Sequence, residues 1–145
     1  MRQILSFSKF FLFCFFAAYL FISCQAPRVI TINSGNLTND SLAMVDSMGN
    51  PAYDFYAHAG DKIKWKLGKP ITTVKGFDSI VIKLSKSQYE IFDNLPHKRF
   101  LSRSWIGIVK DSINLKGIKE EYYNIVWKGS DGKNHTFDPR IIINP

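Results

Sequence analysis

The densest concentration of groups able to do chemistry lies between positions 97 and 105. His97-Lys98-Arg99-Phe100 is followed by Arg103 and Trp105. An Arg guanidinium offers a planar fork of N–H donors that grips phosphate or carboxylate. An aromatic face attracts cations and stacks on sugar rings. Arg99, Arg103 and Trp105 are therefore the candidate ligand-binding residues, for a glycan or another anionic ligand. The same residues also read as a basic loop entering a strand. A second cationic feature is Lys62, Lys64 and Lys66, which alternate with Ile63, Trp65 and Leu67. Period two sends the three Lys to one face of a strand. That row suits an anion; it equally suits a solvated face, or a guard against edge pairing.

Three His remain to be placed: His58, His97 and His135. With Asp61 and Asp138 they sketch a His/Asp metal site. Zinc or copper needs three or four such ligands in fixed geometry. The pairs His58/Asp61 and His135/Asp138 are distant in sequence, and Asp at a turn commonly bonds nearby backbone N–H groups. No metal site and no cofactor are expected. The chain has no Gly-x-Ser-x-Gly elbow and no Gly-rich phosphate loop. It is not expected to be an enzyme.

The elements that must position these groups read as strands. Lys62–Leu67 alternates throughout. Val29–Ile32, Ser79–Leu84, Trp105–Lys110, Tyr122–Trp127 and Arg140–Ile143 are rich in β-branched and aromatic residues. Asp131-Gly132 stands between apolar runs and predicts a hairpin, whose return strand is Asn134–Phe137. Asn33–Asn50 reads as turns around the apolar stretch Leu42–Val45, and Ser87–Asn94 as one or two helical turns. Together these predict an all-β domain, a single antiparallel β-sandwich of immunoglobulin- or cupredoxin-like type. Its expected core is Ile63, Trp65, Leu67, Ile80, Ile82, Leu84, Trp105, Ile108, Tyr123, Ile125, Trp127, Ile141 and Ile143.

The N-terminus carries an address. Arg2 and Lys9 precede an unbroken apolar run of 13 residues, Phe10 to Ile22. That is short of the roughly 20 residues a spanning helix needs, and it suits the apolar region of an export signal. The run ends Leu20-Phe21-Ile22-Ser23-Cys24, which resembles the lipobox of bacterial lipoproteins. The resemblance implies a signal peptide, helical in its apolar part, over 1–23. It also implies a lipidated tether at 24–28 and a β-sandwich domain at 29–145. Cys24 would carry a diacylglyceryl group and, after cleavage, a further acyl chain such as palmitate. Two or three chains anchor firmly where one does not. Gln25, not Asp, follows the Cys, which favours outer-membrane placement. With Cys14 removed and Cys24 alkylated, no thiol remains for a disulfide or a Cys-based metal site.

The chain after position 23 holds 17 of the 19 Lys and Arg and all 12 acids, a net charge of +5. Such a balance favours anionic neighbours or simply aids solubility. The expected partners are the membrane through Cys24 and an envelope protein or glycan. An exported chain without a binding motif is not expected to meet nucleic acid.

Two shorter resemblances complete the reading. Ala59-Gly60-Asp61-Lys62-Ile63-Lys64-Trp65 resembles a stretch of cupredoxin-like domains in which Gly-Asp turns into a strand whose Trp enters the core. The copper ligands of that family are missing here. Asp40-Ser41-Leu42, Asp46-Ser47-Met48, Asp78-Ser79-Ile80 and Asp111-Ser112-Ile113 resemble the O-glycosylation sequon of Bacteroides-type bacteria, and Asp-Ser is also ordinary turn composition. The function this implies is a lipid-anchored binding or accessory module of the cell envelope. Carbohydrate or anionic-ligand binding is the alternative, and a metal-binding cupredoxin relative the second alternative.

Overall fold

The structure is a computed structural model. It describes residues 26–69, 71–82, 91–111 and 120–144, and side chains within these except at 77–82 and 94. The export segment, Cys24, Leu84 and Ser87–Glu90 lie outside the described residues. Ten strands occur among those described, and no helix. They are β1 (Arg28–Gly35), β2 (Leu42–Val45), β3 (Asp54–Ala57), β4 (Lys62–Leu67) and β5 (Val74–Ile82), then β6 (Phe92–Lys98), β7 (Ser104–Val109), β8 (Glu120–Gly129), β9 (Asn134–Phe137) and β10 (Arg140–Ile143). One sheet has the order β2-β1-β4-β7-β6. The other has the order β3-β10-β8-β5, with β9 also paired to β8. One apolar core lies between them, so the fold is the expected β-sandwich.

Alternation builds that core. β4 turns Ile63 and Trp65 inward and leaves its Lys side chains outside. β8 turns Tyr123, Ile125 and Trp127 inward from the opposite sheet. Trp65 Nε1 donates to Tyr123 Oη at 3.0 Å, tying the sheets together across the core. Tyr123 and Phe92 both meet the Trp65 ring edge-on. Burial pushes the Tyr123 hydroxyl pKa far above its ordinary value of 10.0, against the opposing effect of the Trp65 hydrogen bond.

The strand entries follow local chemistry. Gly60 sits at φ +79° in the turn closed by Asp61 N–H to His58 O (3.1 Å). A positive φ at the third turn position favours Gly. Asp61 is buried there and accepts from His58 N (2.8 Å) and Arg28 Nη1 (2.9 Å). The Asp131-Gly132 hairpin also forms as expected. Gly132 adopts φ +81°, and Gly129 N–H donates to Lys133 O at 2.9 Å. The register of β9 against β8 continues without a slip into β10, through Asp138-Pro139. Tyr123 N–H donates to Pro139 O (3.2 Å), so the interruption at Pro139 costs no ladder partner on that side.

The differences from expectation are instructive. Two pairings are parallel, β1 with β4 and β3 with β10, where an antiparallel sandwich was expected. Leu42–Val45 is a strand, and Asp54–Ala57 adds another. Phe92–Asn94 belongs to edge strand β6 and not to a helical turn. Ile91 and Phe92 are buried, Pro96 sits farther along the strand, and the register slips twice. Pro is tolerated on an edge because an outward N–H is not needed. Ile108 is 37 % exposed, although it was expected in the core. It stands opposite Lys62 on the outer face, while Trp105 stands opposite Trp65 and packs against the core. Strict period two cannot put both inside.

Candidate functional site

At the C-terminal end of β4, the outer face of the first sheet meets the β6–β7 hairpin and the crossover to the second sheet. The strand row contributes Lys64 and Lys66, roughly 7 Å apart along the chain as alternate strand residues are. The crossover contributes Lys69, the start of β5 contributes Lys75, and the base of the hairpin contributes Arg103. Leu67, Ile71 and Val74 supply an apolar lining. The result is a cleft of about 440 Å³ with five cations among the described residues. Among the described residues no carboxylate lines it. Charges of one sign in a cleft with low-dielectric walls focus their field outward and draw counter-ions in. Ser102, half-buried, and Ser104, buried, also line the cleft, their hydroxyls bonded to each other at 2.6 Å. What this lining offers a ligand is ionic attraction, N–H and O–H donors, and apolar contact.

Comparison of the chain with known protein families and with curated proteins gives no match.

The three residues singled out from the sequence have different placements. Arg103 lines the cleft. Arg99 is exposed at the turn of the β6–β7 hairpin, outside the cleft lining. Trp105 is half-buried on the inner side with Trp65. Lys69 and Lys75 were not singled out, because only the crossover brings them beside the β4 row. Among the described residues no group of three His, Cys, Asp or Glu is arranged to hold a metal ion. His58 lies with Arg28 and Asp61, while His135 engages Asp40 and Asp131. Of the four Asp-Ser triplets, Ser47 is exposed in a turn held by Asp46, and Ser41 is half-buried and bonded to Asn39. The Ser79 side chain and Ser112 lie outside what is described.

The His135 cluster is a second polar site, and its role is structural. The ring stacks on Trp127 with centroids 4.4 Å apart. Nδ1 meets Asp40 Oδ1 at 2.6 Å and Nε2 meets Asp131 Oδ1 at 3.2 Å. An imidazole can donate from both nitrogens only when protonated. The pKa of His135 is accordingly raised above 6.5, first by the Asp40 hydrogen bond and then by that of Asp131. Asp131 is held below 3.8, chiefly by Lys133 N–H and then by His135. The cluster clamps the β1–β2 loop to the β8–β9 hairpin.

Its pH dependence follows from the two signs. A raised His pKa gives stability that is full below about pH 6.5 and lost as pH rises through the folded value. A lowered Asp pKa gives stability present above 3.8 and lost as pH falls through its folded value. The melting temperature is expected to be higher at pH 5.5 than at pH 8.5. His135→Asn should remove most of that difference; an unchanged slope would mean that His135 is neutral in the fold.

Proposed function

We propose that the chain is a lipid-anchored binding module of a bacterial cell envelope, and that its ligand is an anion held in the cationic cleft. One observation carries the ligand class: Lys64, Lys66, Lys69, Lys75 and Arg103 converge without a carboxylate among the described lining residues. Bringing five like charges together is unfavourable until a counter-charge joins them, so an anion gains both attraction and relief of repulsion. The apolar lining adds contact for a ligand that carries its charges on a carbon framework, as an acidic glycan does. Support for the address comes from Arg2, Lys9, the apolar run and Ser23-Cys24. A protein partner is the second reading. It is favoured by β3, the end strand of its sheet, where Tyr56 and the neighbouring Tyr53 are about half exposed.

The experiment takes the whole protein in two steps. Fractionated cells should hold it in the membrane, and Cys24→Ser should release it or leave it unprocessed with a heavier mass. The purified protein should then bind inorganic polyphosphate and not neutral dextran, with affinity falling as salt rises. Membrane retention of Cys24→Ser at the mass of the processed chain would sink the lipid anchor. Equal affinity for polyphosphate and dextran would sink the anionic ligand.

A further inference from the structure

The apex of the β6–β7 hairpin presents two large apolar side chains that no described residue covers. Phe100 is 90 % exposed and Leu101 is 93 % exposed. Leu101 also holds φ +54°, a left-handed conformation that a branched side chain adopts at a cost. The apex is ordered by its own hydrogen bonds: Ser102 N–H to Arg99 O (3.2 Å), Arg99 N–H to Ser104 O (3.0 Å) and Ser104 N–H to Ser102 Oγ (3.1 Å). The turn therefore holds the apolar pair out from the domain and does not fold it back. Lys98, Arg99 and Arg103 flank it, all exposed, and no acid occurs between positions 98 and 104.

We propose that this apex is a membrane-docking device, in which Phe100 and Leu101 enter the interfacial layer of an anionic bilayer and Lys98, Arg99 and Arg103 hold its headgroups. Apolar residues at a tip with cations behind them match the order of a bilayer surface, acyl chains below and anionic charge above. The turn's hydrogen bonds let backbone approach that layer at lower cost, since unpaired N–H and C=O groups resist leaving water. A second copy of the chain is the poorer occupant, because an apex-to-apex contact would bring six cations together. The inference goes beyond the cleft ligand and does not depend on it. It also does not require lipidation.

The strand order sets the posture of a docked protein. β1 runs parallel to β4, with Arg28 opposite Ile63, while Ser104 at the base of the hairpin lies opposite Lys66. The apex thus lies at the end of the sheet away from the start of β1. Should residue 24 carry a lipid and the apex dock on the same bilayer, the strands lie along the membrane plane.

The test uses the full chain carrying Leu101→Cys with a thiol-linked nitroxide, corrected against the unsubstituted chain for label at Cys14 and Cys24. Vesicles are phosphatidylcholine alone or with phosphatidylglycerol. On the anionic vesicles the nitroxide should gain access to oxygen and lose access to a water-soluble nickel chelate. On neutral vesicles it should stay in water. Lys98→Ala and Arg99→Ala should each weaken docking about fivefold. A label in water on both vesicle types overturns the proposal, as does insertion indifferent to lipid charge. Shielding that grows with protein concentration without oxygen access overturns it in favour of a second copy. Leu101→Gly, with the nitroxide moved to Phe100→Cys, separates folding from docking: it should raise the melting temperature by relieving the left-handed strain, and abolish docking. A variant that gains stability and still docks also overturns the proposal.

Discussion

Trp65→Ala should destabilise the domain by about 3–5 kcal/mol, the usual range for removing a buried large aromatic side chain. Trp65 is fully buried, touches Phe92 and Tyr123 edge-on, and donates the hydrogen bond that ties one sheet to the other. Truncation opens a cavity at the centre of the sandwich and leaves Tyr123 Oη buried without that donor. Typical domains have about 5–15 kcal/mol of stability in total, so the loss is a large share of it. Urea denaturation checks this through the midpoint. Trp65→Phe divides the effect, because it keeps most of the ring and loses the N–H. Its cost should be smaller, about 1–3 kcal/mol. If the two variants lost the same stability, the hydrogen bond and not the ring would be the dominant contribution.

The same residue shows why part of this fold is legible in the sequence. Lys62–Leu67 alternates without a fault, so the inward placement of Ile63 and Trp65 follows from backbone geometry alone. Asp131-Gly132 likewise fixes a short hairpin, and its register sets His135 opposite Trp127. The stacking of that pair was therefore within reach of the sequence. Its clamp was not, because Asp40 lies 95 positions away and arrives on another loop. The parallel pairings β1–β4 and β3–β10 were hidden for a related reason. No local pattern distinguishes a parallel neighbour when other strands intervene in the sequence, as β2 and β3 do between β1 and β4, and β4 to β9 between β3 and β10. β6 was hidden because its bulges and Pro96 break the alternation that announces a strand. The cleft was legible only in pieces. The Lys row and Arg103 stand out in the sequence as separate features. Lys69 and Lys75 join them because the chain crosses between sheets there.

That convergence makes a sharp test of the cleft. The double variant Lys66→Glu, Arg103→Glu should weaken polyphosphate binding roughly thirtyfold to hundredfold at low salt. The estimate takes two reversed charges as four units of lost interaction, each about 0.5–0.7 kcal/mol, the middle of the range for exposed ion pairs. The salt dependence discriminates further. A single-stranded polyanion releases about 0.7 counterion per neutralised charge, so engagement of all five cations gives a slope of about −3.5 in log affinity against log salt. The variant should lose at least about 1.4 of that slope, because two contacts are gone. Lys128→Glu with Lys133→Glu is the control. Both residues are exposed outside the cleft lining, and the pair changes net charge by the same amount. Steering by overall charge would weaken binding equally in the two double variants. A cleft that grips its ligand loses affinity and slope when Lys66 and Arg103 are reversed, and keeps nearly all of both in the control. Equal losses would reduce the site to a diffuse positive potential, and the anion would then have no defined seat on β4.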